Sequence, residues 1–219
     1  MSNASLATIV LVAALASTSA GAQGVDPNWL FAPAGKDDIL VQLRDKSGED
    51  RGLCLDFPGF PISGVVSDYR ESTWPIGAHT CKTNIPRANV AIMDQVFSAS
   101  ELTTRRHLYF ARLKVCAEVL SFGDVKAPGH VQESGVRQDA QIVANPCADR
   151  PSQQFVMDSS GRIKSVMDDG KCLTIGKEWL EAGERSPGQP WHRRDLGLSR
   201  CSSSDSSRQV WRLAPIAEQ

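Results

Sequence analysis

A Gln-x-aromatic triplet occurs three times in this chain, as Gln95-Val96-Phe97, Gln153-Gln154-Phe155 and Gln209-Val210-Trp211. Phe97 and Phe155 are 58 residues apart, and Phe155 and Trp211 are 56 apart. A cysteine step recurs on the same period: Cys54-Leu55-Asp56, Cys116-Ala117-Glu118 and Cys172-Leu173-Thr174, with first-cysteine spacings of 62 and 56. A fixed period of this length means an array of like units sharing one core, and it constrains the fold more than any single motif does. The fullest copy is the stretch from Gln153 to Leu173, QQFVMDSSGRIKSVMDDGKCL, in which triplet, turn, short strand, second turn and cysteine follow one another.

The six cysteines fit the same register. Cys54 and Cys81 are separated by 27 residues, Cys116 and Cys147 by 31, and Cys172 and Cys201 by 29. Six cysteines allow fifteen connectivities. The repeat selects one bridge per unit: Cys54–Cys81, Cys116–Cys147 and Cys172–Cys201. Zinc sites use closely spaced ligand pairs, and no two cysteines here are that close, so neither a metal nor a cofactor is expected.

An even cysteine count points to an oxidising compartment. The apolar run Leu6 to Ala16, followed by Ser17-Thr18-Ser19-Ala20-Gly21-Ala22, agrees with it. The run is too short to span a bilayer comfortably. Its small residues suit signal-peptide cleavage after Ala20 or Ala22, although Met1 to Ser5 lacks the usual Lys or Arg. Residues 1–22 are therefore read as a secretory signal, and the protein as secreted or periplasmic. With 24 basic and 25 acidic residues the net charge is −1, so no overall field favours nucleic acid or an anionic membrane. No later stretch reaches membrane-spanning length.

Residues 23–38 read as a lead-in. Short strands with turn signals then fill 39–213, and 214–219 form a tail. Strand candidates include Ile39–Leu43, Gly52–Asp56, Gly77–Cys81, Gln95–Ala99, His107–Cys116 and Ala140–Val143. No amphipathic helix of ordinary length is visible. About four strands in each of three repeats (39–99, 106–157, 162–213) gives about twelve, and such a pattern argues an all-β domain. Closing the three units on themselves removes exposed sheet edges. Gly176 to Gly197 is read as a large loop carrying Trp179, Trp191 and His192, and Ser202 to Ser207 as a surface loop. The triplet aromatics Phe97, Phe155 and Trp211 are assigned to the core.

A C-L-D step, a second cysteine about thirty residues on and a Q-x-W or Q-x-F triplet, three times over, resembles the ricin B-type β-trefoil lectins from about Ile39 to Leu213. The resemblance implies a β-trefoil with pseudo-three-fold symmetry and up to three shallow sugar sites. Each such site combines an acid just after the first cysteine, an aromatic two residues before the second, and an Asn before the triplet Gln. The acid accepts hydroxyl hydrogen bonds, the ring packs the C–H face of a sugar, and the amide offers a donor and an acceptor. The corresponding residues here are Asp56, His79 and Asp94; Glu118, Asn145 and Ser152; and Thr174, Ser199 and Arg208. Only the first unit keeps the acid unchanged. The expected glycan site is therefore Asp56, His79 and Asp94, with Trp74 or Tyr69 as a stacking ring; the other two positions are expected to be degenerate, with Trp179 or Trp191 as the stacking candidate on the long loop of the third unit.

The motifs G-x-S-x-G, H-E-x-x-H, the P-loop and G-x-G-x-x-G are all missing, and no enzymatic activity is expected. Two functions follow. One is a secreted carbohydrate-binding, lectin-like protein with a glycan or glycoprotein partner. The alternative is a sugar-silent trefoil that binds a protein, as a toxin-like accessory subunit or an inhibitor would.

Overall fold

The computed structural model describes residues 35, 37–57, 76–82, 90–121, 140–177, 179–186 and 189–216. The signal-like segment, most of the lead-in, and Tyr69 and Trp74 lie outside these residues. Among the described residues, no helix is long and apolar enough to cross a membrane.

The chain is all-β, with thirteen strands among the described residues. The first unit holds β1 (Asp38–Leu43), β2 (Leu53–Asp56), β3 (Gly77–Thr80) and β4 (Phe97–Ser98). The second holds β5 (Tyr109–Phe110), β6 (Val115–Ser121), β7 (Ala140–Pro146) and β8 (Phe155–Met157). The third holds β9 (Ile163–Ser165), β10 (Lys171–Ile175), β11 (Leu180–Ser186), β12 (Gln189–Arg200) and β13 (Trp211–Pro215).

Pairing repeats from unit to unit. A central pair, β2 with β3, β6 with β7 and β10 with β12, carries each disulfide. Antiparallel contacts β4–β5, β8–β9 and β13–β1 join one unit to the next. The last of these, with a five-residue register from Ile39↔Pro215 to Leu43↔Trp211, closes the ring. Within each unit the two ends also meet: β1 pairs with β4, and outside the strands the single bridges His107↔Gln154 and Arg162↔Val210 join the corresponding segments of the second and third units. A closed barrel of three like units, each with a hairpin, is a β-trefoil.

The core is continuous through all three units. Val41, Leu55, Phe97, Phe110, Val115, Phe155, Ile163, Leu173 and Trp211 belong to one buried cluster. Each of these large side chains contributes about 1.5–3 kcal/mol on full burial. Phe97 and Phe110 pack at 4.3 Å between ring centroids. Trp211 donates Nε1–H to the Leu173 carbonyl at 3.1 Å, which satisfies the indole inside the core. The disulfides are Cys54–Cys81, Cys116–Cys147 and Cys172–Cys201, one per unit.

The expectation of a large loop at Gly176 to Gly197 is corrected. Most of that segment is a hairpin of β11 and β12. Its second strand runs on to pair with β3 of the first unit, through Arg193↔His79, Arg194↔Ala78 and Asp195↔Gly77. Twelve strands therefore become thirteen. The hairpin pairs locally, with register shifts between Glu181 and Ser186 that break the alternation a strand would show; only Arg193 to Asp195 reach a strand over a hundred residues away. In the expected surface loop at Ser202 to Ser207, the last residues open a short helix, α1 (Ser206–Gln209).

Candidate functional site

The three triplet glutamines are fully buried and make one bonding pattern three times. Gln95 donates Nε2–H to Asp56 Oδ2 (2.8 Å) and to the Thr80 carbonyl (3.1 Å), and its Oε1 accepts from the Lys82 N–H (3.0 Å). Gln153 donates to Glu118 Oε2 (3.1 Å) and the Pro146 carbonyl (3.0 Å), and accepts from the Ala148 N–H (2.7 Å). Gln209 donates to Thr174 Oγ1 (2.9 Å) and the Arg200 carbonyl (2.9 Å), and accepts from the Ser202 N–H (2.9 Å). Each amide thus ties the residue two after the first cysteine to the backbone on either side of the second. That explains why Gln recurs: one side chain must supply both donors and an acceptor in a dry interior.

In the first unit this brings three of the expected site residues together, with two more. Asp56 ends β2, His79 lies on β3, and Asp94 sits in a 3₁₀ turn, Val90–Gln95. Lys82, just after the second cysteine, pairs with Asp94 and lies 3.4 Å from Asp56 Oδ2. The cluster is closed: Asp56 is 2% exposed, Lys82 6%, His79 7% and Asp94 8%. Trp191 of β12 meets His79 edge-on at 5.3 Å and lies 5.4 Å from Lys82 Nζ.

Two carboxylates around one ammonium leave one negative charge too many in a dry site. Burial and the repulsion of Asp56 push the Asp94 carboxyl up to about 8, despite the pull of Lys82. Burial works against the Lys82 ammonium, but the two acids outweigh it and hold its pKa above the ordinary lysine value. Burial also holds the His79 imidazole below its ordinary value, which Asp56 only partly offsets. Asp94 Oδ1 has no hydrogen-bond partner among the described residues.

The second and third units are satisfied internally. Glu118 accepts from Asn145 Nδ2 (2.7 Å), Arg150 (2.8 Å), Ser152 Oγ (2.9 Å) and Gln153 (3.1 Å). In the third unit Thr174 bonds to Ser199 Oγ (2.8 Å), while Arg208 is held by the Ile175 carbonyl and Asp205.

Beside the first-unit cluster a second buried acid fastens the β11–β12 arm. Glu49 is 4% exposed. Its carboxylate accepts from Arg51 Nε (2.8 Å), Thr80 Oγ1 (2.9 Å) and His192 Nδ1 (2.8 Å). Burial opposes its charge, but the hydrogen bonds from Arg51 and His192 prevail and lower it to about 2. Arg51 also donates to the Pro190 carbonyl (2.7 Å). The exposed Trp179 carries the Arg194 guanidinium 3.9 Å from its ring. Among the described residues, no three His, Cys, Asp or Glu side chains are grouped to hold a metal ion.

Sequence reasoning offers Trp191 as a stacking ring of the third unit and brings neither it nor Lys82 into the first-unit cluster. Lys82 was open to discovery by aligning the units, since it stands where Ala148 and Ser202 stand. Trp191 was not, because its placement depends on the β12–β3 pairing.

No protein-family model matches the sequence, and neither does any curated protein. Solved structures do. The mdaA-1 domain aligns over 84% of this chain and 94% of its own, at 14% identity and a TM-score of 0.50. The β-trefoil lectin of the Vibrio vulnificus hemolysin/cytolysin, solved with N-acetyl-D-lactosamine bound, covers 84% and 97% at 13% identity and a TM-score of 0.48. The C-half of the earthworm R-type lectin, in complex with GalNAc, covers 81% and 98% at 12% identity and a TM-score of 0.46.

Proposed function

We propose that this chain is a secreted carbohydrate-binding protein with one weak glycan site, over Asp56, His79 and Asp94 of the first unit. The observation that supports it is Trp191 beside His79 and 5.4 Å from Lys82 Nζ, the ammonium that lies between the two buried acids. The ring that the resemblance asks for is a histidine in the first unit, and the third unit supplies an indole next to it. Trp191 offers an apolar surface to the C–H face of a sugar. Asp94 stands where the resemblance asks for an Asn, and its Oδ1 is left without a hydrogen-bond partner among the described residues. A shallow site with so few polar contacts should bind near the millimolar range, about −4 kcal/mol. The degenerate second and third positions contribute nothing to this affinity. Export through the N-terminal signal accords with three disulfides, and N-terminal sequencing of the mature protein tests it.

A second reading, a sugar-silent trefoil that docks a protein, draws on the 2% exposure of Asp56 and the complete internal bonding of Glu118. A glycan array on the oxidised protein, followed by calorimetry with the best sugar, separates the two. Binding that falls at least tenfold in Trp191→Ala and in Asp56→Ala supports the glycan site. Silence across the array, or binding indifferent to both substitutions, rejects it. Silence together with a co-purifying protein favours the second reading.

A further inference from the structure

Where the first unit passes into the second, a cleft of about 550 Å³ opens between the segment Thr104 to His107 and the segment Cys147 to Asp149, with Gln154 also in its wall. That size lies within the range of small-ligand sites. It is separate from the acid positions above: Glu118, Asn145 and Ser152 do not line it.

The cleft exists because the second unit departs from the third at two equivalent positions. The N–H of Trp211 bonds to the Gly161 carbonyl at 2.7 Å, and the N–H of Phe155 bonds to the Arg106 carbonyl at 2.6 Å. Arg106 therefore stands where the third unit has Gly161. Both have positive φ, 89° for the glycine and 64° for the arginine. A glycine adopts this conformation freely, whereas a long side chain there is uncommon. The second unit thus accepts local strain and gains an exposed guanidinium at the cleft mouth, and strain of this kind collects at functional sites.

The next residue departs as well. The bridges Arg162↔Val210 and His107↔Gln154 make His107 the counterpart of Arg162. In the third unit the Arg162 guanidinium reaches the carbonyl of Ser202, the residue after the second cysteine, at 3.3 Å and Ser160 Oγ at 2.8 Å. The counterpart of Ser202 in the second unit is Ala148. His107 is shorter than arginine, and the space between it and Ala148 stays open. The imidazole is 5% exposed, its Nδ1 lies 3.7 Å from Glu101, and its buried Nε2 has no hydrogen-bond partner among the described residues.

Both walls are fixed before any ligand arrives. One is held by the Arg106 N–H bond to the Glu101 carbonyl and by the strand contact to Phe155. The other is held by the Cys116–Cys147 bridge and the Gln153 bond to Ala148.

We infer that this cleft binds an anionic sugar, one bearing a carboxylate or a sulfate ester. Arg105 and Arg106 present guanidinium forks suited to such an anion. Asp149, which already accepts from Gln154 Nε2 at 2.8 Å, and His107 suit sugar hydroxyls, to which an acid and an imidazole both bond. Arg105 is shared with Glu101 only at 3.7 Å, with its side chain 71% exposed, so it is available to a ligand.

The test uses the full oxidised chain titrated with glucuronate, with galactose 6-sulfate and with neutral galactose, followed by calorimetry and by NMR shifts. At least one charged sugar is expected to bind, and neutral galactose not to bind in the cleft. The two charged arms tell carboxylate from sulfate. Arg106→Gly installs the residue that the third unit uses there, and it should fold at least as well as the parent while weakening binding at least tenfold. His107→Arg should fill the cleft as Arg162 fills its counterpart, with a similar loss. Trp191→Ala should leave this binding unchanged, which keeps the outcome independent of the first-unit glycan site. No response to either charged sugar, or equal binding by Arg106→Gly, overturns the inference.

Discussion

Asp94 and His79 belong to one buried cluster and pull stability in opposite directions with pH. The Asp94 carboxyl, raised to about 8 in the fold, binds a proton there that the unfolded chain releases near pH 4. Its contribution is therefore fully favourable below about pH 4 and declines as pH climbs toward 8. His79, held below its ordinary value, costs stability as pH falls through the mid-6 range, where the unfolded chain takes up a proton that the folded imidazole resists. Asp94→Asn copies the protonated acid and should remove only the first slope. Above the histidine range, from pH 7 to pH 8.5, denaturant midpoints are expected to fall in the parent and to stay nearly level in the variant, while between pH 7 and pH 5 the variant shows the His79 slope alone, its midpoint dropping toward acid pH. At pH 5 the two should differ by about 1 kcal/mol or less, one neutral hydrogen bond's worth. A parent and variant that decline in parallel would show that Asp94 does not hold this proton.

The β11–β12 arm leaves its own unit to pair with β3, and Glu49 is its fastening. The acid is buried, but Arg51 and His192 are 29% and 32% exposed in their side chains and can rehydrate once it is gone. Glu49→Ala should therefore cost about 1–3 kcal/mol, below the cost of breaking a fully buried pair. Hydrogen exchange should quicken along 189–195 first, with the β13–β1 amides little affected. This arm also marks where sequence reading ran out. The triplet glutamines and cysteine pairs were legible because each repeats on one period and each answers a local demand: a buried backbone to satisfy or a loop to close. The contact of Trp191 with His79 has no such local cause. It depends on a strand that leaves its own unit, and neither periodicity nor a motif encodes that partner. The closure of Asp56 by Lys82 was equally hidden, since a carboxylate in a sugar-site pattern reads the same whether it faces solvent or an ammonium.

For the whole molecule, one core runs through three units that are each stapled once, so the units should not unfold separately. Replacing Cys172 and Cys201 by Ala should cost about 2–5 kcal/mol, as is usual for a native bridge. A single cooperative transition should remain when fluorescence and circular dichroism are compared. Two separated transitions would mean that the third unit is not integral to the barrel.

The closing pair β13–β1 has a mechanical consequence. Ile39 and Pro215 face each other at one end of the ladder, so a force pulling these two residues apart meets the cross-strand hydrogen bonds one pair at a time. Bonds loaded in sequence yield at lower force than bonds sheared together, and the barrel should open like a zipper toward Leu43 and Trp211. Extension then meets the three bridges, which withhold the segments 54–81, 116–147 and 172–201 from stretching until they are reduced. A molecule held by these two residues would be soft at its seam and short in its reach, and a reducing agent would lengthen it in steps without changing the force at which the seam gives way.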